Sequence, residues 1–375
     1  MTDMLNPTRT PTPEPPPEAP PGDAAGRTAD DVAERVFTSA LGAVETLAIA
    51  LGDRLGWYGA LARMGACTAE ELAETTASSP RYAREWLEQQ ATTGLLQVAD
   101  GEPRRFWIEP AVAEVMTNRS SLAYLAPLSR MLAAAGARFH DLVAAYRDDT
   151  GVAWADYGVD MREAQADMNR PWFEHELARA LAGTSVAPLL ARPSASIADV
   201  GCGGGWSTIA LARAHPDATI VGYDVDGPSI ELARRNAAEA GVADRVTFEV
   251  ADVGRADLDG SHDVVFAFEC IHDMPRPVEV LAAMRRMTAP DGAVVVMDEA
   301  VADDLQVPGD EVEQIMYGFS LLICLPDGKS DTDSAATGTV IRPSVLRGYA
   351  RSAGFDDLEV LPTGEFGFFR FYRLD

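Results

Sequence analysis

Cysteine, lysine and basic charge are all scarce in this chain, and each shortage narrows what it can be. The four cysteines, Cys67, Cys202, Cys270 and Cys324, lie far apart and form no CxxC pair. That spacing argues against disulfides and a structural zinc site and suits a reducing compartment, so a cytoplasmic protein without a metal centre is expected. Lys329 is the only lysine; arginine supplies the other basic side chains, which reflects composition bias and not a site. With 31 basic against 58 acidic residues, the formal charge is −27. Such a surface repels phosphate backbones, so no nucleic acid partner is expected. No unbroken run of about 18 apolar residues occurs, so no membrane span or membrane partner is expected. The start of the chain lacks a basic stretch followed by an apolar one, so no secretory leader is expected.

What is present suffices for a large core. Apolar residues make up 47% of 375, and that length allows two domains of roughly 100–200 residues each. Residues 1–28 hold eight prolines and little that can be buried, so a disordered tail is expected there. From Thr28 onward, Val32, Val36, Leu41, Val44, Leu47 and Leu51 recur at helical spacing. Leu55–Met64 reads as a second helix, Thr68-Ala-Glu-Glu71 as a capping box opening a third, and Ser79-Pro80 as the N-cap and first position of a fourth. Leu95–Val98 and Arg105–Ile108 then read as two strands around Asp100-Gly101. Helices followed by a hairpin are the order of a winged helix. Alanine-rich helical sequence continues from Glu109 to about Ala191.

From Ser194 the pattern becomes strands alternating with helices. The strands are Ser196–Val200, Thr219–Asp224, Val246–Val250, Asp263–Phe268 and Ala293–Asp298; the helices are Ser207–Ala214, Pro228–Ala240 and Pro277–Thr288. This implies an α/β domain with a parallel sheet covered on both faces. Leu358–Pro362 and Phe368–Tyr372, linked by Thr363-Gly364-Glu365, read as a closing antiparallel pair.

The first strand runs into Asp199-Val200-Gly201-Cys202-Gly203-Gly204-Gly205-Trp206. Glycines there allow a sharp turn and close approach to a ligand. A dinucleotide fingerprint needs glycine at position 206, which tryptophan occupies. Asp224 ends the second strand, where a carboxylate can accept from both hydroxyls of a ribose. Asp252 follows the third strand and can accept an adenine amino group. All three acids stand at the carboxyl ends of successive strands, the edge at which open α/β sheets bind ligands.

This D-x-G-x-G-x-G spacing resembles motif I of class I S-adenosylmethionine-dependent methyltransferases, and residues 194–375 resemble that domain throughout. The resemblance implies a Rossmann-like seven-stranded sheet with an antiparallel last strand. It implies S-adenosylmethionine as cofactor and S-adenosylhomocysteine as product. Asp199, Gly201, Gly203 and Gly205 would meet its methionine part, Asp224 its ribose and Asp252 its adenine, with Val253 and Glu269 completing the cofactor set. Phe268-Glu269-Cys270-Ile271-His272-Asp273-Met274 resembles the segment of small-molecule O-methyltransferases in which a histidine before Asp-Trp is the general base; Met274 stands where the tryptophan is expected. A phenol with pKa of about 10 keeps its proton at neutral pH, and an imidazole with pKa of about 6.5 can remove it. Glu299, at the end of the fifth strand, takes the role of orienting acid.

Seven acidic residues and no basic one lie between Asp298 and Glu313. That stretch reads either as a solvated loop or as an attractor of a cationic amine substrate. Glu311–Leu325 reads as an amphipathic helix with Tyr317, Phe319 and Leu321; the resemblance implies that it covers the substrate, with Tyr317, Phe319 and Asp273 in contact. The segment Leu55-Gly56-Trp57-Tyr58-Gly59 through Glu85-Trp86-Leu87 also resembles the family's front domain, which implies a homodimer. Arg81, Arg84, Arg104 and Arg105 offer a rival DNA-facing set, weakened by the neighbouring Glu85, Glu88 and Glu102. The expected layout is thus a tail at 1–28, a winged-helix-like dimerisation domain at 29–120, a helical connector at 121–190 and a catalytic domain at 191–375. The leading expectation is methyl transfer to a hydroxyl of a small aromatic or natural-product molecule. Nitrogen or carbon methylation, and a cofactor-binding regulator or non-methylating enzyme, are the alternatives.

Overall fold

A computed structural model describes residues 27–375 except Asp257, Asp259 and Glu365. The tail expected at 1–28 therefore lies almost wholly outside the described residues. The chain divides into two compact units, Met1–Ala43 and Val44–Asp375. In the first, the described part of helix α1 (Ala29–Arg54) exposes Val32, Val36, Phe37 and Leu41. Helix α1 is long and apolar enough to cross a membrane, although it holds no unbroken apolar run of that length. Alanine, glycine, serine and threonine dilute its aliphatic side chains without making it strongly polar.

Within the second unit, α2 (Trp57–Met64), α3 (Ala69–Thr75) and α4 (Pro80–Thr92) precede a hairpin of β1 (Gln97–Ala99) and β2 (Arg105–Trp107). Trp57, Tyr58, Leu61, Leu72, Trp86, Leu87 and Phe106 form their shared core. The capping box at α3 is present: Glu71 N donates to Thr68 Oγ1 at 3.2 Å and Thr68 N to the Glu71 carboxylate at 2.8 Å. Ser79 stands at the N-cap of α4 but makes no side-chain cap bond. Proline at the first helical position already removes one of the donors such a cap would serve. Each arginine of the DNA-facing set is paired with an acid, Arg81 with Glu85, Arg84 with Glu70, Arg104 with Glu88 and Arg105 with Glu71.

Helices α5 (Pro110–Thr117), α6 (Ala126–Ala137), α7 (Phe139–Asp148), α8 (Trp154–Trp172), α9 (Ala178–Ala182) and α10 (Ala187–Leu190) follow. Arg130 of α6 is 6% exposed and bridges Asp53 at the end of α1, at 2.6 Å, to Asp167 of α8, at 2.7 Å. A buried arginine shared by two carboxylates is costly to disrupt, because removing one partner strands charge in the interior.

The sheet contains β3 (Ser196–Val200), β4 (Thr219–Asp224), β5 (Val246–Val250), β6 (His262–Phe268), β7 (Thr288–Glu299), β8 (Leu358–Val360) and β9 (Phe369–Leu374), in the order β5-β4-β3-β6-β7-β9-β8. All pairings through β7 are parallel, and β9 runs antiparallel to both neighbours. Alternation along the strands feeds two cores: Ile197, Phe266, Val295 and Phe371 face one layer of helices, and Ala198, Val265, Val296 and Tyr372 the other. Strand order reverses between β3 and β6, so the loops after these strands diverge and leave the crevice in which such sheets bind ligands.

The connecting helices are α11 (Trp206–Ala214), α12 (Gly227–Glu239), α13 (Pro277–Met287), α14 (Glu311–Phe319), α15 (Leu325–Gly328) and α16 (Pro343–Ser352). Helix α16 has no counterpart in the sequence reading. The helix expected over Glu311–Leu325 stops at Phe319 and continues as a π-helical turn, Ser320–Cys324. Pro326 explains the change: it has no N–H to give the carbonyl four residues back. That carbonyl, Leu322 O, instead accepts from the Tyr157 hydroxyl at 2.7 Å.

Candidate active site

Strand β3 delivers Asp199 into the interior, where its Oδ2 accepts from Ser207 Oγ and Thr208 Oγ1, both at 2.6 Å. Burial pushes its carboxyl up to about 6 against the pull of these hydroxyls. Asp199 therefore ties the glycine loop to the first turn of α11. Gly201, Gly203 and Gly205 all have positive φ, of 73°, 50° and 79°. At Gly205 a Cβ would sit 2.8 Å from Ala233 and 2.9 Å from Phe248, whereas at Gly203 it would meet nothing within 4 Å. The last of these is the open cradle that a ligand can enter.

Asp224, at the end of β4, accepts from Gly203 N and Asp226 N, each at 2.8 Å. One carboxylate thus holds both the glycine loop and the entry to α12, and burial raises its pKa. Asp252, after β5, accepts from Gly254 N at 3.1 Å and stands 3.6 Å from Arg276. Val253 beside it is buried. The three acids line the carboxyl ends of adjacent strands, as their spacing implied. A groove of about 520 Å³ lined by Val159, Arg162, Leu232, Arg235 and Val250 opens near this edge but contains none of the residues of the histidine loop.

Glu269 follows β6 with φ of 53°, unusual for a residue with a side chain. Its Oε2 accepts from Asn169 Nδ2 at 2.5 Å and Gln165 Nε2 at 3.3 Å. Burial pushes its carboxyl up to about 7. Gln165 and Asn169 come from α8, some hundred residues earlier in the chain, and no motif points to them.

His272 is 2% exposed. Its Nδ1 lies 2.6 Å from Asp298 Oδ1 and 3.3 Å from Glu299 Oε2, and its Nε2 lies 3.3 Å from Asp273 Oδ1. Burial works to lower the imidazole pKa, but the charges of Asp273, Asp298 and Glu299 outweigh it and hold the pKa well above its ordinary value. Burial likewise pushes Glu299 up, whereas Asp298 is held below the usual carboxylate range by His272 and its hydrogen bonds, despite burial. Asp298 is thus the closer and the charged partner of His272. The family resemblance assigns the orienting role to Glu299 alone; at the end of β7 both Asp298 and Glu299 reach the imidazole.

Cys324, brought by the π-helical turn, has its sulfur within 4.8 Å of His272 and Asp273 ligand atoms. Asp327, on α15, accepts from Trp154 N at 2.7 Å, and burial pushes it up to about 7. Neither was singled out by sequence. Of the other expected contacts, the Tyr317 hydroxyl accepts from Arg342 at 3.3 Å, and Phe319 packs against the cluster containing Met131, Met161 and Ile323. In the acidic run, Asp310 caps α14 and Glu313 pairs with Arg342, while Asp303 and Asp304 are exposed, so only Asp298 and Glu299 address the histidine.

Comparison with known proteins bears on this arrangement. Residues 192–330 match a methyltransferase domain family, and residues 43–118 match an Rv2258c-like winged HTH domain family. The ubiquinone biosynthesis O-methyltransferase of Ralstonia nicotianae is 33% identical over 47% of this chain and 68% of its own length. The 27-O-demethylrifamycin SV methyltransferase of Amycolatopsis mediterranei is 31% identical over 34% of this chain and 48% of its own. Among solved structures, the mitomycin 7-O-methyltransferase MmcR aligns over 92% of this chain and 98% of its own with a TM-score of 0.67 at 22% identity. Human N-acetylserotonin methyltransferase in complex with S-adenosylmethionine aligns over 93% and 99% with a TM-score of 0.67 at 16% identity. At such identities the structures establish the fold, and the Ralstonia relative establishes the lineage. The chain belongs to the S-adenosylmethionine-dependent methyltransferases, with a winged helix-turn-helix domain ahead of its catalytic domain.

Proposed function

We propose that this enzyme moves a methyl group from S-adenosylmethionine to a hydroxyl of a small aromatic or natural-product acceptor, with His272 as general base. The observation that carries the reading is the buried imidazole whose Nδ1 is held at 2.6 Å by Asp298. With Nδ1 engaged, Nε2, which stands 3.3 Å from Asp273 Oδ1, is the nitrogen left to take the acceptor's proton. The residues at the donor end suit the cofactor: Gly203 leaves open space at the loop, and Asp224 and Asp252 place carboxylates for ribose and adenine, with Val253 and Glu269 beside them. When bound, the cofactor supplies a methyl group on a sulfonium. The neutral imidazole takes the hydroxyl proton as the new oxygen–carbon bond forms and the carbon–sulfur bond breaks. The proton stays on His272, where Asp298 and Asp273 balance its charge, and Glu299 completes the shell. Relatives named as O-methyltransferases support oxygen as the acceptor atom.

The pH dependence follows from the raised pKa of His272. A base held protonated works only above that pKa, so the acidic limb of kcat/KM is expected on the alkaline side of the ordinary histidine value of about 6.5. Asp273→Asn removes one of the carboxylates that hold the proton, so the limb should move toward lower pH. A limb that stays in place in the folded variant would separate Asp273 from the titration of the base.

For the layout we keep the boundaries of a winged-helix dimerisation domain at 29–120, a connector at 121–190 and a catalytic domain at 191–375, in a cytoplasmic homodimer. Trp57 and Leu61 are buried in their own domain, so they do not supply the dimer surface. Support comes instead from α1, where Val44, Leu47 and Leu51 are 60%, 51% and 59% exposed. Light scattering should report a dimer for the whole chain and for a chain lacking residues 1–28. Leu47→Asp combined with Leu51→Asp should yield a monomer; a double variant that stays dimeric would remove α1 from the interface.

A further inference from the structure

Positive φ accounts for Gly201, Gly203 and Gly205 in the loop after β3, but Gly204 does not share it. A Cβ at Gly204 would stand 2.6 Å from the Cβ of Ala166, so glycine is required there by the close approach of helix α8. The rest of that helix face bonds to the neighbouring loops. Arg162 Nε and Nη2 donate to the two carboxylate oxygens of Asp226 at 2.5 and 3.2 Å, and both side chains are 11% exposed. Gln165 Nε2 and Asn169 Nδ2 donate to Glu269 Oε2 at 3.3 and 2.5 Å. Arg170 lies 4.0 Å over the Trp206 ring at the start of α11. These positions recur every three or four residues, so they share one face of α8. That face crosses the loops after β3, β4 and β6, the strand ends that bound the crevice.

Glu269 is the acid beneath this helix. Its neighbour Cys270 abuts the glycine loop: a Cβ at Gly201 would meet the Cys270 sulfur at 2.6 Å. Glu269 therefore stands between α8 and that loop, at a positive φ of 53° that few residues with side chains adopt. Both amide donors fasten one oxygen, Oε2. Among the described residues, Oε1 makes no hydrogen bond, and no arginine or lysine pairs with the carboxylate. Neutral amides orient a carboxylate without supplying a counter-charge. The chain's own cofactor can supply one, because S-adenosylmethionine carries an α-ammonium group on the methionine part that the glycine loop would receive.

We infer that α8 forms a wall of the cofactor site, on which Asn169 and Gln165 are positioning residues that hold Glu269 to accept from the α-ammonium group of the donor. This rests on the placing of the cofactor along the glycine loop and Asp224. A sulfonium has no N–H to donate, whereas an ammonium has three, so a carboxylate with one oxygen fastened and the other free suits the ammonium. The same helix braces the ribose acid as well. Arg162 holds Asp226, and the Asp226 N–H is in turn accepted by Asp224 at 2.8 Å. The segment between the two domains thus takes part in holding the donor.

The test is calorimetry on the full-length chain with three ligands: S-adenosylhomocysteine, its analogue lacking the α-amino group, and 5′-methylthioadenosine, which lacks the amino-acid part altogether. None carries a sulfonium, so the ammonium is read alone, and no turnover is needed. Wild type should prefer S-adenosylhomocysteine to the deaminated analogue. Glu269→Gln should weaken S-adenosylhomocysteine about ten- to hundred-fold, the range for one charged hydrogen bond, and abolish that preference. Asn169→Leu should weaken it about two- to ten-fold, the range for an ordinary hydrogen bond, and Gln165→Leu by less. Methylthioadenosine should bind all three variants as it binds wild type, which also shows that they fold. A wild type without the preference, a preference that survives Glu269→Gln or Asn169→Leu, or an equal loss of methylthioadenosine overturns the inference. Failure of the underlying placement shows separately, as methylthioadenosine binding that Asp224→Ala leaves unchanged, and it overturns the inference with it.

Discussion

Replacing His272 by alanine should lower turnover on a hydroxyl acceptor by about 10²–10⁴-fold, the range for loss of a positioned general base. Cofactor affinity should change little, because Asp224, Asp252 and the glycine loop lie on other strand ends. The size of the effect depends on how completely the imidazole is organised. Asp298 at 2.6 Å fixes its ring and tautomer, and a 2% exposed side chain leaves no bulk water to act as a substitute base. Asp298→Asn should reproduce much of the loss, since an amide can hold the ring but cannot balance the imidazolium formed during transfer. Single-turnover kinetics separates this from slow product release. A His272→Ala enzyme with near-normal chemistry on a hydroxyl would return the residue to a packing role.

Asp224→Ala should cost cofactor binding rather than chemistry. A charged hydrogen bond contributes about 1.5–3 kcal/mol, so losing one weakens S-adenosylmethionine roughly ten- to hundred-fold and losing two weakens it further. The structure adds a second source of loss. Asp224 also accepts from Gly203 N and Asp226 N at 2.8 Å each, so the variant loosens the glycine loop as well as removing the proposed ribose acceptor. Asp224→Asn keeps one acceptor oxygen for a backbone donor and should fall between wild type and alanine. Titration calorimetry reads both. Unchanged affinity in a folded Asp224→Ala protein would remove this carboxylate from the ribose site.

The sheet was legible in the sequence because its strands are short apolar runs between strongly marked helices. Ser196–Val200, Thr219–Asp224 and Val246–Val250 appear with the expected ends. Strand β7 begins earlier than expected, at Thr288, because Pro290-Asp291-Gly292 reads as a turn; in the fold the register shifts between His262 and Val264 and the strand runs through it. Helix α16 was not read because Pro343-Ser-Val-Leu sits in a stretch without a clear apolar period. The placing of Asp199, Asp224 and Asp252 at one sheet edge was legible because these residues are local to strand ends. The surroundings of the histidine loop were not, since Gln165 and Asn169 reach Glu269, and Cys324 reaches His272, from helices distant in sequence. Their roles depend on tertiary packing, above all on the π-helical turn that Pro326 imposes and that carries Cys324 inward.

The most direct measurement of the central claim is the fate of a labelled methyl group. The enzyme is incubated with methyl-labelled S-adenosylmethionine and a panel of small phenols, alcohols and amines, beside His272→Ala, and products are resolved by mass and fragmentation. The expected result is label on the oxygen of an acceptor with wild type and its near absence with the variant. Label found only on nitrogen or carbon, or oxygen methylation that survives in His272→Ala, would contradict the account.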